Sequence, residues 1–320
     1  MALALQAQTY LSADGQTDTY SLITSKLAPG ANPIEVPDCG DPANAPHIRQ
    51  TWNEELSQYV FQFFIHVLQD DDPSTNPCNH GDRQRNEIKT YASSPEYLKA
   101  YAGDAVTYRW KFKLDAGFQP SPNFTHVHQI KPVDGNDAYP VITYIPVSGS
   151  TDLMQLRYYD DSYTLVKLSE VPLAPFRGEW VEANEQITFG VHGSYSMSLT
   201  RVRDGVVLMS YSNSDINLLR SGASFYRPKW GIYRSLLKPQ YLRDEIVLFD
   251  NFCLAKGADR CLTPDFDISL APASQSVTAG NTTAFIANIS AKYGFNSRIS
   301  LKLSGAPAGT TVSFDQNAPI

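Results

Sequence analysis

Three short stretches of this 320-residue chain combine strand-like alternation with side chains that can hold an anion or move a proton. The first is Asp82-Arg83-Gln84-Arg85-Asn86-Glu87-Ile88-Lys89. On a strand, a period of two places Arg83, Arg85, Glu87 and Lys89 on one face. Three cations around one carboxylate make a poor core and a good floor for an anion; a solvated edge strand is the plainer alternative. The second is Phe124-Thr125-His126-Val127-His128-Gln129-Ile130-Lys131, where the same period puts His126 and His128 together. Such a pair can bind a metal or transfer protons, or be satisfied by its neighbours; zinc would want a third ligand, which the sequence does not identify. The third is Phe225-Tyr226-Arg227-Pro228-Lys229-Trp230-Gly231-Ile232-Tyr233-Arg234. Here Lys229, Gly231 and Tyr233 share a face, Gly231 leaves room for close approach to the backbone, and nearby cations favour the phenolate of Tyr233.

The elements that must position these residues are strands. Alternating runs occur at Tyr59–Val67, Ala105–Leu114, Gln186–Val191, Ser196–Val202 and Val206–Tyr211. The last two flank Arg203-Asp204-Gly205, a strong hairpin signal. An early strand is expected over Thr17–Leu22, and a two-turn helix over Ser94–Tyr101 with Ser94 as cap and Pro95 at the first helical position. With 12% aromatic residues, 21 Pro, 19 Gly and only 18% charged residues, the chain reads as an extracellular all-β protein. Strands at this spacing imply a two-sheet antiparallel sandwich or jelly roll over residues 10–262.

Composition changes near Leu262-Thr263-Pro264. Beyond it, residues 263–320 read as short strands at Phe266–Leu270, Ala284–Ile289 and Ile299–Leu303. The four cysteines have no metal-finger spacing; two disulfides, Cys39–Cys78 and Cys253–Cys261, are the reading preferred over free thiols, and they imply an oxidising compartment. The formal net charge of −7 excludes non-specific nucleic-acid binding. No apolar run approaches the roughly 18–20 residues that cross a bilayer. Met1–Gln8 are small and apolar without a basic segment, which suits the end of a signal peptide or an added leader.

Taken together, the three stretches resemble the signature strands of the β-jelly-roll polysaccharide lyases of the alginate-lyase and glucuronan-lyase type. Those families carry Arg-Ser/Thr-Glu, Gln-Ile-His and Tyr-Phe-Lys-Ala-Gly-x-Tyr in that order. Here the matching residues are Arg85-Asn86-Glu87, His126-Val127-His128 and Lys229-Trp230-Gly231-Ile232-Tyr233. Asn86 departs from the small hydroxyl, and His126 stands where the family has Gln. The tail resembles the immunoglobulin-like modules of bacterial secreted enzymes, through Ser276-Val277-Thr278-Ala279-Gly280 and Leu303–Gly309. A complete module needs roughly 100 residues, so a partial sandwich with an exposed edge is expected.

The resemblance implies a concanavalin A-like jelly roll and a secreted, monomeric enzyme that cleaves a 4-linked, uronic-acid-containing, anionic polysaccharide by β-elimination. Arg85, with His126, would neutralise the carboxylate beside the acidic C5–H; Tyr233 would be acid and base, and His128 the base for the other stereochemistry. Arg83, Glu87 and Lys229 would contact or organise the anionic chain, and Trp110, Tyr144 and Tyr158 would line a groove. Catalysis would need no cofactor. A structural calcium between the first and last strands would use Asp250, with Asp18 offered from the early strand. The competing class is a non-catalytic carbohydrate-binding protein on the same scaffold. A glycoside hydrolase needs two facing carboxylates, and none pair on a strand face, with Glu182 and Glu185 read as loop residues.

Overall fold

Nearly every alternating run of the sequence forms a strand. The computed structural model describes residues 8–68, 70, 81–257, 261–262, 265–292, 295 and 299–314. Its elements in chain order are β1 (Gln8–Leu11), α1 (Thr19–Leu27), β2 (Ile34–Glu35), β3 (Ile48–Asn53), β4 (Gln58–Ile65), β5 (Arg83–Lys89), β6 (Ala105–Leu114), β7 (Thr125–Val133) and β8 (Ile142–Val147). These are followed by β9 (Leu153–Tyr159), β10 (Leu165–Pro172), β11 (Trp180–Thr188), β12 (Gly193–Arg201), β13 (Val207–Ile216), β14 (Phe225–Ser235), β15 (Glu245–Lys256), β16 (Asp265–Ala271) and β17 (Ile286–Lys292).

One antiparallel sheet runs β13-β12-β11-β6-β15-β4-β3, with β1 added at β15; the other runs β10-β9-β8-β7-β14-β5-β2. The inward residues of both sheets meet in one apolar layer. Trp110 of β6 lies 5.8 Å from the Trp230 ring of β14, and Phe252 of β15 lies 5.2 Å from it. Rings of this size each bury roughly 150–250 Å² and dominate such a core. The chain is thus a two-sheet antiparallel jelly roll. The three chemistry-bearing stretches occupy β5, β7 and β14, adjacent in the order β7-β14-β5.

Local expectations fare unevenly. The Asp204-Gly205 turn joins β12 to β13, with Gly205 at φ +70°. The expected early strand is instead α1, which begins where the Asp18 carboxylate accepts the Ser21 N–H at 2.9 Å; Leu22, Ile23 and Leu27 give it a buried side. The expected helix over Ser94–Tyr101 shrinks to one 3-10 turn at Glu96–Leu98. Ser94 caps the turn before it, accepting from the Tyr91 N–H. Cys253 and Cys261 are disulfide-bonded, with Cα atoms 5.6 Å apart. The expected partner of Cys39, Cys78, lies outside the described residues; Cys39 is exposed. In the tail, β16 and β17 pair only with each other, Ile268, Leu270 and Ile286 stay exposed, and Ile299–Leu303 is not a strand.

Candidate functional site

β5 alternates as its sequence demands. Gln84, Asn86 and Ile88 are completely buried towards the core, while Arg83, Arg85, Glu87 and Lys89 face away from it. The register sets Lys89 opposite Lys229, Glu87 opposite Gly231 and Arg85 opposite Tyr233. Across β14, Tyr233 pairs with His126. Arg85, Tyr233 and His126 therefore form one row across three adjacent strands. The Arg85 guanidinium lies 4.0 Å from the centroid of the Tyr233 ring, and Arg83 Nη1 donates to the Tyr233 hydroxyl at 3.2 Å. The His126 ring lies 5.7 Å from that of Tyr233. Burial lowers the His126 imidazole to about 3, so it is neutral, and its Nδ1 is buried without a partner among the described residues.

Beside this row sits an ionic lattice. Glu87 pairs with Arg85 at 3.1 Å and with Lys229 at 2.6 Å, and accepts from Gln129 Nε2 at 2.5 Å. Burial opposes its ionisation, but the charges of Lys229 and Arg85 outweigh that and hold the carboxyl below its ordinary value. Glu35, on the two-residue β2, joins Lys89 and Lys229 at 2.5 Å each and Arg85 at 3.4 Å. Burial works against its charge too, and Lys229, Arg85 and Lys89 overcome it. Sequence reasoning misses Glu35 because a lone Glu in a Pro-flanked two-residue strand has no pattern to stand out from. Lys131 also faces outward, without a hydrogen bond or ion pair among the described residues. Burial, then the charges of Lys229 and Arg85, lower its ammonium to about 8.

His126 and His128 do not share a face. On β14 three steps separate Trp230 from Tyr233, and on β7 two steps separate their partners His128 and His126. The extra residue is a β-bulge, and it turns Val127 and His128 inward together. His128 is 1% exposed. Its Nε2 lies 3.0 Å from Glu185 Oε2 and its Nδ1 2.9 Å from the Lys229 carbonyl oxygen. It belongs to a buried polar cluster in which Tyr195 and Tyr144 donate to Glu185 Oε1 at 2.7 and 3.3 Å. Glu182 and Glu185 are thus β11 residues and not loop residues. With His126 as the histidine of the Gln-Ile-His pattern, the glutamine position is Phe124, whose ring lies 5.0 Å from Tyr233.

The expected groove aromatics are also inward. Trp110 and Tyr144 are 1% exposed, and Tyr158, 7% exposed, donates its hydroxyl to the Asn217 carbonyl at 2.5 Å. Alternation identifies their strands without saying which phase faces the core. Besides Tyr233 and Phe124, Tyr159 of β9 lies on the outer side with Tyr139 and Tyr163; Tyr139 is 5.3 Å from Tyr159 and 5.2 Å from Tyr163. Gly231 answers to the protein itself. At φ +146°, an added Cβ would lie 2.1 Å from the Asn86 carbonyl oxygen and 2.7 Å from Glu87 Cα, so the backbone that approaches it is that of β5.

Asp250 does not fit calcium. Its Oδ1 accepts from the Ala13 N–H at 2.8 Å and its Oδ2 from Gln58 Nε2 at 2.5 Å, and burial pushes the carboxyl well above its usual range. Calcium gathers six to eight oxygens, whereas these neighbours present N–H donors, and Asp18 is occupied as the α1 cap.

No protein-family model and no curated protein matches the sequence. Among solved structures, the chain is similar to an endo-β-1,4-glucuronan lyase from the fungus Trichoderma reesei, at 15% identity over 65% of this chain and 86% of that one, with a TM-score of 0.45. It is similar to an alginate lyase of polysaccharide lyase family 7, at 12% identity over 70% and 93%, with a TM-score of 0.47. It is also similar to a marine PL-14 alginate lyase from Aplysia kurodai, at 14% identity over 78% and 99%, with a TM-score of 0.45. Likeness this distant concerns the path of the chain and leaves its chemistry open.

Proposed function

We propose that the chain is a secreted polysaccharide lyase that cleaves 4-linked uronic-acid polymers by β-elimination. The observation that carries this reading is the Arg85–Tyr233–His126 row, set beside Arg83, Lys89, Lys229 and Lys131 on one sheet face. The C5 proton of a uronate is weakly acidic until its carboxylate is neutralised. Arg85 and Arg83 supply positive charge there, and a guanidinium matches a carboxylate in two points. The C5–H and C4–O4 bonds then break as a C4–C5 double bond forms. The Tyr233 oxygen receives the C5 proton and returns one to O4 where both lie on the same side of the ring. Where they lie on opposite sides, the neutral His126 ring beside Tyr233 takes the C5 proton and Tyr233 protonates O4. The Cys253–Cys261 disulfide supports secretion, and the exposed side of the Tyr139 cluster suits a neutral sugar face.

The test is growth of ultraviolet absorbance on a panel of polyuronates, because elimination creates a conjugated double bond and hydrolysis does not. Tyr233→Phe should retain polymer binding and lose about 10²–10⁴-fold in turnover, and Arg85→Lys, which keeps charge without the fork, should also lose rate. Undiminished turnover in Tyr233→Phe would remove Tyr233 from the mechanism. Binding without absorbance growth on any polyuronate would establish the non-catalytic carbohydrate-binding reading, which the Tyr139 cluster would then serve.

A further inference from the structure

On the core side of β5, two amides reach across to the other sheet. Asn86 Nδ2 donates to the carbonyls of His47 and Phe64 at 2.9 and 2.7 Å, and Gln84 Nε2 to those of His66 and Asp70 at 2.6 and 3.2 Å. Three of these four carbonyls belong to residues whose side chains converge with Asp41. The ligand-type atoms of Asp41, His47, His66 and Asp70 all lie within 4.8 Å of one another. His47 Nε2 is 3.1 Å from Asp70 Oδ1 and 3.8 Å from Asp41 Oδ2. His66 Nδ1 is 3.4 Å from Asp70 Oδ1 and 3.5 Å from Asp41 Oδ2.

We propose that Asp41, His47, His66 and Asp70 form a tetrahedral binding site for a divalent transition-metal ion of the zinc type. Metal–ligand bonds of about 2.0–2.2 Å in a tetrahedron place the ligand atoms about 3.3–3.5 Å apart, close to the four separations above. Two imidazole nitrogens and two carboxylate oxygens suit zinc, and the two carboxylates balance its charge; calcium would want more oxygens and no nitrogen.

The surroundings are those of a ligand set. The His47 and Asp70 side chains are fully buried, that of Asp41 is nearly so, and that of His66 is 21% exposed, which leaves one route in. His47 Nδ1 is 2.6 Å from Asp38 Oδ1, and Tyr20 donates to Asp38 Oδ2 at 2.7 Å. That contact keeps a proton on Nδ1, which donates to Asp38, and so points the Nε2 lone pair at the cluster, the carboxylate–histidine arrangement that orients metal ligands. The second oxygen of Asp70 accepts the His66 N–H at 2.6 Å, and Asp41 Oδ2 accepts from Asn44 Nδ2 at 2.7 Å. With four protein ligands the site is closed and structural. Through Asn86 and Gln84 it braces, from behind, the strand that carries Arg85 and Glu87.

The test titrates zinc and cobalt(II) separately into chelator-treated, full-length protein, with calcium as the contrast. The expected result is one zinc bound per chain, a higher melting temperature with zinc, and the visible spectrum of tetrahedral cobalt. His66→Ala and Asp41→Asn should weaken zinc by at least about 100-fold, and Asp38→Asn by about 10–100-fold. Circular dichroism checks that each variant folds, and the isosteric Asp41→Asn stands in should His66→Ala fail. Absence of stoichiometric zinc binding by the wild-type protein, a preference for calcium, or undiminished zinc binding in folded Asp41→Asn or His66→Ala would each overturn the site. None of these readings depends on lyase activity.

Discussion

At the scale of single residues, Lys131 is a side chain held at odds with stability. An unfolded lysine keeps its proton to about pH 10.4, whereas Lys131 releases it near 8. Between those values the unfolded chain binds the extra proton, so stability rises as pH climbs from about 8 towards 10, and below 8 the fold carries the full penalty. Lys131→Met should therefore stabilise the protein at pH 7. One pH unit is worth about 1.4 kcal/mol; discounted for partial exposure, the expected gain is about 1–3 kcal/mol, fading by pH 10.5. Denaturant unfolding at several pH values measures it, and no gain at pH 7 would mean the ammonium is satisfied in the fold. On the proposed function, the same variant should also bind anionic polymer less well.

At the scale of elements, the bulge in β14 decides which side chains meet. Gly231→Ala adds a Cβ that collides with backbone atoms of β5 at a φ suited to glycine. Strain and overpacking together should cost about 2–5 kcal/mol, read as a fall in the denaturation midpoint; a loss below about 0.5 kcal/mol would show that β5 and β14 can part without penalty. Here lies the limit of what the sequence shows. Runs such as Ala105–Leu114 announce strands plainly, and the polar residues of β5, β7 and β14 single them out as the chemistry-bearing strands. A period of two carries no phase, so Trp110 and Tyr144 look as fit for a groove as for a core. Parity also breaks at a bulge, so His126 and His128 look like partners. Thr17–Leu22 alternates like a strand, yet the Asp18 cap and the buried Leu22, Ile23 and Leu27 make it helical. The convergence of Asp41, His47, His66 and Asp70 comes from tertiary structure, and no local spacing reports it.

At the scale of the molecule, a chain of net charge −7 sets Arg83, Arg85, Lys89, Lys131 and Lys229 on one sheet face. If the proposed substrate is right, this charge would steer it to that face and should make capture faster at low salt. The β16–β17 ribbon contributes little to the sandwich, since its strands pair only with each other and its apolar residues stay exposed. A chain ended after Leu262 should melt within a few degrees of the full-length protein, because it keeps the disulfide and the Arg109 contact to the Leu262 carbonyl. A large drop in melting temperature on truncation would assign the tail a part in the fold.

The bulge also bears on how such a site can change by descent. Its membership depends on one surplus residue in β14, so insertions and deletions reach it in a way that point changes do not. Loss of a single codon between Trp230 and Tyr233 would restore plain pairing with β7, and Tyr233 and His126 would turn towards the core together. A lineage could re-equip this face in one step, with Arg85, His126 and Tyr233 all still present in its gene.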